Sequence, residues 1–185
     1  LPISLNRRSS YRGRIVIKEI AMKLLNRLFC LVMWVPATQA TAAPAPDFPL
    51  AGTWTLVAAD LIRPDGVRIR DYGDAPAGLM MIDAQGRYTV QIYRSDRPRF
   101  ASGDKKTGTP AEFEAAIMGS STHFGTVAID REAHTLTFSI ATAAFSNWEG
   151  TQQKRSYELN GDELSYRVPA RPDGYIPLSV WRRVR

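Results

Sequence analysis

The sequence is poor in the residues that most protein chemistry depends on. It holds a single cysteine, Cys30, and two histidines, His123 and His134. Cys30 lies in an apolar stretch near the N-terminus, so a chain cut after that stretch would carry no disulfide and no thiol nucleophile. No set of His, Cys, Asp and Glu has metal-ligand spacing, and no serine sits in a Gly-x-Ser-x-Gly turn. Neither a metal, a cofactor nor an acyl-enzyme is expected. No apolar run approaches the roughly 20 residues of a membrane-spanning helix. Net charge is missing as well, once position is considered. The formal +6 arises in the first 42 positions, which hold seven of the 24 Lys and Arg residues and one of the 18 acids, leaving 17 of each sign over residues 43–185. A basic total raises the question of nucleic acid, and this balance removes its main support.

What is present begins with a leader. From Met22 the chain reads MKLLNRLFCLVMWVPATQATAA, with Lys23 and Arg27 before the apolar Leu28–Val35 and then Ala40-Thr41-Ala42. That order of positive, apolar and small residues is a secretory signal, with cleavage expected after Ala42. Cys30 falls mid-run rather than behind small residues, so no lipid anchor is expected after cleavage. Residues 1–21 open on Leu1, are Arg-rich and show no core pattern; Met22 reads as the true start, with a long n-region as the alternative. The organisation is therefore an extension and signal peptide over 1–42, a loose Pro-rich lead-in over 43–49, and one domain over 50–185 in a periplasmic or secreted protein. Residues 43–185 are of single-domain size, roughly 100–150 residues.

The domain reads as short alternating runs broken by turn residues. Gly52–Arg63 turns at Pro64-Asp65-Gly66 into Val67–Arg70; Leu79–Asp83 and Arg87–Arg94 flank Ala84-Gln85-Gly86. Thr122–Asp130 and His134–Thr142 form a further pair, and Asn160-Gly161-Asp162, with the strongest hairpin signal of the chain, joins Thr151–Leu159 to Glu163–Val168. Leu178–Val184 closes the series. One helix is expected after Thr109, with Pro110 at its first position, Glu112 completing a capping box, Phe113, Ala116 and Ile117 on one face, and Gly119 at its end. Eight or nine antiparallel strands and one short helix make an all-β sandwich or barrel.

Residues two apart on a strand share a face. His123 falls with Val127 and Ile129, and Phe138 with Leu136 and Ile140. Gln153, Arg155 and Tyr157 form one face of their strand, and Leu164, Tyr166 and Val168 one face of the next. Polar His123, Gln153 and Arg155 thus turn inward among apolar side chains. A buried arginine needs an anion, which is either an internal acid such as Glu149 or the head group of a ligand. His123 is a core histidine, a hydrogen-bonding group for a ligand, or a base. Trp148, in the loop Phe145–Gly150, either lines an opening or staples that loop to the barrel. The basic loop with Arg94, Arg97, Arg99, Lys105 and Lys106 is interleaved by Asp96 and Asp104 and reads as a solvated loop at the barrel mouth rather than a nucleic-acid surface.

Gly52-Thr53-Trp54 on the first strand and Trp181-Arg182-Arg183 on the last resemble the lipocalin and calycin barrels, in which a Gly-x-Trp at the closed end packs on an arginine of the final strand. The stretches LAGTWTLVAADLIRPDGVRIRDYG, GLMMIDAQGRYTVQIYRSDRPRFASG, THFGTVAID, NWEGTQQKRSYELNGDELSY and VWRRV are similar to the bacterial and fungal lipocalin-like domain family over residues 50–184. The resemblance implies an eight- to nine-stranded lipocalin-like barrel in which Gly52, Trp54, Trp181 and Arg182 or Arg183 are structural, and a small hydrophobic or amphiphilic ligand in its cavity. Arg155-Ser156-Tyr157 has the Arg-x-Tyr spacing of fatty-acid-binding barrels. The expected ligand set is His123, Gln153, Arg155, Tyr157, Tyr166, Phe138, Trp148 and Glu149. The alternative is a cofactor-independent isomerase or cyclase in the same cavity, with His123, Tyr157 or Glu149 moving protons.

Overall fold

The structure, a computed structural model, describes residues 48–185. The leader, its cleavage site, Cys30 and most of the Pro-rich lead-in lie outside the described residues. Nine strands follow in order: β1 (Gly52–Ile62), β2 (Arg68–Arg70), β3 (Ala77–Ile82), β4 (Arg87–Tyr93), β5 (Ser120–Asp130), β6 (Thr135–Ala143), β7 (Gln152–Asn160), β8 (Glu163–Arg167) and β9 (Ile176–Arg183). A helix, α1 (Pro110–Met118), precedes β5, and a single 3-10 turn at Ser146–Trp148 joins β6 to β7. Each strand from β3 onward pairs antiparallel with the next, and β9 returns to β1. Eight strands close a barrel by this route. The ninth, β2, is an addition: it pairs with Asp60–Ile62 of β1, while β3 pairs with Gly52–Thr55.

Alternation builds the interior. On β4, Tyr88, Val90 and Ile92 are buried and alternate with Arg87 and Gln91, which are exposed, and on β6 Leu136, Phe138 and Ile140 alternate with half-buried Thr135, Thr137 and Ser139. Each large apolar side chain so removed from water contributes about 1.5–3 kcal/mol. Two bulges interrupt the pattern, an extra Val57 on β1 between Leu56 and Ala58, and an extra Ala141 on β6 opposite the Phe124/Gly125 step. A bulge shifts side-chain parity by one residue, so the inward series of β1 runs Trp54, Leu56 and then Ala59. The second bulge depends on Gly125, where a Cβ would stand 2.0 Å from the Ser139 carbonyl oxygen.

One end of the barrel is shut by Trp54. Its indole is fully buried and its Nε1 donates to the Leu50 carbonyl at 2.9 Å. The Arg183 guanidinium lies 4.1 Å above that indole and donates to the carbonyls of Ala51 and of Pro49, the latter at 2.8 Å. Gly52 has φ +133, and a Cβ there would sit 3.0 Å from Arg183 Nη1, so glycine is what lets the arginine reach across. Arg182, the other candidate for this contact, points outward to Glu163 at 3.3 Å and takes no part, because adjacent residues of a strand face opposite sides. The end of the lead-in is also tied down: Phe48 packs against the core and its carbonyl accepts from Ala51 N at 2.8 Å.

At the opposite end, α1 forms as its caps dictate. Thr109 Oγ1 accepts from Glu112 N at 3.2 Å, while the Glu112 carboxylate accepts from Thr109 N at 2.7 Å and also from Ala101 N at 2.7 Å. None of its residues is buried. The face expected from Phe113, Ala116 and Ile117 does not enter the core; Phe113 meets Phe100 edge-on at 5.3 Å, and Ile117 is exposed.

Candidate functional site

β5 and β7 flank β6, and from them His123 and Arg155 reach one another across it. The register sets Arg155 opposite Leu136 and Gln153 opposite Phe138. Because of the bulge at Ala141, His123 falls opposite Ala143, beyond the last large side chain of β6. The two polar groups therefore meet above Phe138 rather than beside it. Arg155 Nη2 donates to Gln153 Oε1 at 2.8 Å and lies 3.3 Å from His123 Nε2, while His123 Nδ1 lies 2.7 Å from the Tyr88 hydroxyl.

The protonation of this chain follows from Arg155. A guanidinium can only donate, so His123 Nε2 must offer its lone pair and the ring proton resides on Nδ1, donating to Tyr88. Burial first, and the Arg155 charge second, push the His123 pKa down to about 3. Burial raises the Tyr88 phenol above its ordinary value. His123 and Tyr88 are thus both neutral near pH 7, and Arg155 is the only charge in the group.

That charge is poorly answered within the protein. Arg155 is 6% exposed, with its guanidinium carbon 4.2 Å from the Phe138 ring centre and 5.0 Å from that of Tyr166. None of the ion pairs among the described residues includes it. Its Nε has no hydrogen-bond partner among the described residues. The aromatic faces and neutral acceptors offset part of the desolvation and leave the positive charge without a counter-ion among the described residues.

Arg155 lines a cavity of about 220 Å³ at the open end, together with His123, Gln153, Tyr166 and Trp148, and with Ala59, Ile92, Val168 and Leu178 as its apolar wall. Two acids also border it: Asp60 takes Arg68 Nε at 2.5 Å, and Asp71 lies 3.9 Å from Arg94, whose closer partner is Asp96 at 3.0 Å. Arg171 stands at the border without an ion pair among the described residues. Burial, with Asp71 beside it, raises the Tyr72 phenol, which keeps that lining hydroxyl neutral.

Of the expected ligand set, His123, Gln153, Arg155, Tyr166 and Trp148 come together around this cavity. Three do not. Tyr157 shares the face of Arg155 but lies one step deeper toward the closed end, against His134 with ring centres 5.9 Å apart, so the Arg-x-Tyr pair does not converge on one group. Phe138 is fully buried beneath the guanidinium and supports Arg155 rather than reaching the cavity. Glu149 is exposed and does not line the cavity; its carboxylate accepts from Ala143 N at 3.3 Å and forms no ion pair with Arg155. Of the three alternative proton-moving candidates, His123, Tyr157 and Glu149, only His123 lines this cavity. Tyr88, Asp60, Asp71, Tyr72 and Arg171 belong to the site or its border and were not expected. The one signal for Asp60 was an acid inside the apolar run Ala58-Ala59-Asp60-Leu61-Ile62.

Among the described residues no helix is long and apolar enough to cross a membrane. No curated protein matches the sequence. A solved structure of a lipocalin-like protein from Bacteroides uniformis is similar at 14% identity and a TM-score of 0.40, over 73% of this chain and 98% of that one. The model of the lipocalin-like domain matches residues 51–184, from the Trp54 strand through the Arg183 strand. The chain belongs to the lipocalin-like domain family.

Proposed function

We propose that the barrel binds a small, largely apolar molecule carrying an acidic group, and that this group is held against Arg155. The observation that carries the proposal is the buried guanidinium, which has no carboxylate partner among the described residues and belongs to a residue lining a cavity with an apolar wall. An uncompensated buried charge costs several kcal/mol, and an anionic head group lowers that cost on binding. An apolar pocket with a few convergent polar groups is also how small-molecule sites are usually built. Gln153 and His123 hold the guanidinium from one side through Nη2, which leaves Nη1 for the ligand, while Nε is enclosed without a partner among the described residues. His123 acts here as a neutral acceptor that orients Arg155.

The order of residues from Met22 to Ala42 supports export, so we place this activity in the periplasm or outside the cell. N-terminal sequencing of the extracytoplasmic protein is expected to begin at or near Ala43, and an intact leader on a cytoplasmic protein would refute it. Native mass spectrometry of the protein purified from its own compartment tests the binding reading. The expected result is a retained organic acid, released on denaturation. A bare protein mass, together with no displacement of a dansyl-labelled fatty acid, would overturn it.

A further inference from the structure

We infer that the ligand is a single-chain amphiphile bound head-inward, its apolar chain leaving the cavity past Trp148 and lying in a vestibule between α1 and Phe145. This rests on the reading of Arg155 given above and extends it to the rest of the ligand. The cavity around Arg155 measures about 220 Å³, below the roughly 300–1,000 Å³ of sites that enclose a whole small molecule. It has room for the head and the first part of a chain. Outside it is a second space of about 360 Å³ that shares Asp71, Tyr72, Ser121, Trp148 and Arg171 with the first, so the two adjoin along these residues.

The wall of the vestibule suits a hydrocarbon. Ile117 and Met118 from α1 and Phe145 from the β6–β7 loop border it, and they are 43%, 69% and 48% exposed. These side chains are not spent on the core, since no residue of α1 is buried. The helix is nevertheless held in place, by its capping box, by Ser120 Oγ donating to the Ala116 carbonyl at 2.9 Å, and by the Phe100–Phe113 contact. A fixed helix presenting large apolar groups to a groove that adjoins a charged cavity is a place for the tail of whatever the cavity holds. Trp148 borders both spaces, its ring 6.0 Å from His123 on one side and 5.6 Å from Phe145 on the other, and so marks the passage. The reverse orientation would leave alkyl carbons against the unanswered Arg155 charge.

The test is calorimetric titration of the wild type, Arg155→Met, and the double variant Ile117→Gln/Met118→Gln with n-alkyl carboxylates from butanoate to hexadecanoate and with the matching alcohols. Glutamine keeps the helix propensity of these positions, and circular dichroism checks that the barrel is intact. In the wild type, affinity is expected to rise by about fourfold for each methylene that enters the vestibule, and then to level off. In the double variant, butanoate should bind as in the wild type, while the gain per methylene over the longer chains falls to less than half. Bromine placed along the chain of a bound acid should quench the emission of Trp148, with Trp54 and Trp181 fully buried. Short acids that bind through Arg155 with no gain for longer chains would overturn the head-inward placement and leave the Arg155 reading standing. Alcohols binding as tightly as acids of equal length would overturn the Arg155 reading, and no binding at any length would overturn both.

Discussion

Replacing Arg183 by Ala separates two neighbouring arginines that the sequence alone leaves equivalent. The substitution removes the cation from the Trp54 face and two charge-assisted bonds to the Ala51 and Pro49 carbonyls. A cation–π contact of this kind is worth about 0.5–2 kcal/mol, and hydrogen bonds to a charged group about 1.5–3 kcal/mol each when buried. The carbonyls here are only part-buried, so the lower ends apply, and the expected loss is about 3.5 kcal/mol or roughly 12 °C in Tm for a domain of this size. Arg183→Lys should recover less than half, because an ammonium can neither bridge two carbonyls in the same plane nor stack on the indole. Arg182→Ala is the matched control: it loses an exposed pair with Glu163 and should cost about 0–1 kcal/mol. Urea denaturation followed by near-ultraviolet circular dichroism reports both the midpoint and the environment of Trp54. Equal effects of the two alanine substitutions, or an Arg183→Ala protein as stable as the wild type, would refute this account of the closed end.

Gly125→Ala should destabilise by about 3 kcal/mol or more through overpacking, since the new Cβ would stand 2.0 Å from the Ser139 oxygen; the urea midpoint measures it. His123 gives a pH dependence of definite sign. Its folded pKa is depressed to about 3 from an ordinary 6.5, so between these values the unfolded chain binds a proton that the folded one does not. Its contribution is therefore fully present above about pH 6.5 and is lost on acidification, at up to about 1.4 kcal/mol per pH unit. His123→Gln should flatten the fall in stability between pH 6.5 and pH 4 relative to the wild type, and parallel curves would contradict the neutral histidine. Thr109→Ala removes the cap of α1 and should raise amide exchange across Pro110–Met118, with a local cost of about 1 kcal/mol and little change in Tm. A large drop in Tm would mean that the helix supports the barrel after all.

The strands were legible because alternation and turn chemistry agree: the hairpin at Asn160-Gly161 and the inward set of β4 follow from residue type alone. The inward direction of His123 and Arg155 was legible for the same reason. Depth was not. Parity gives the face of Tyr157 but not its height along the barrel axis, which depends on how the tilted strands are staggered. That is why Arg155 reaches the cavity and Tyr157, two residues on, meets His134 instead. Bulges conceal residues in another way, for the extra Val57 exchanges the faces of β1 and brings Ala59 inward where an unbroken alternation would bring Ala58. Glu149 lies at the end of a 3-10 turn, where no strand period constrains a side chain. Asp71, Tyr72 and Arg171 come from loops and were outside the reach of any periodicity.

Displacement of a dansyl-labelled fatty acid and thermal melting, measured side by side on the wild type and Arg155→Met, test the central claim most directly. Arg155 has no protein carboxylate to strand among the described residues, and an apolar group of similar length removes a buried charge whose desolvation no ion pair repays. The account predicts that the variant keeps or raises its Tm while its affinity for the anionic probe falls by at least tenfold, the loss of about 1.4 kcal/mol or more expected for a charge-assisted contact. Unchanged displacement with a Tm lowered by many degrees would contradict it and make Arg155 a structural residue.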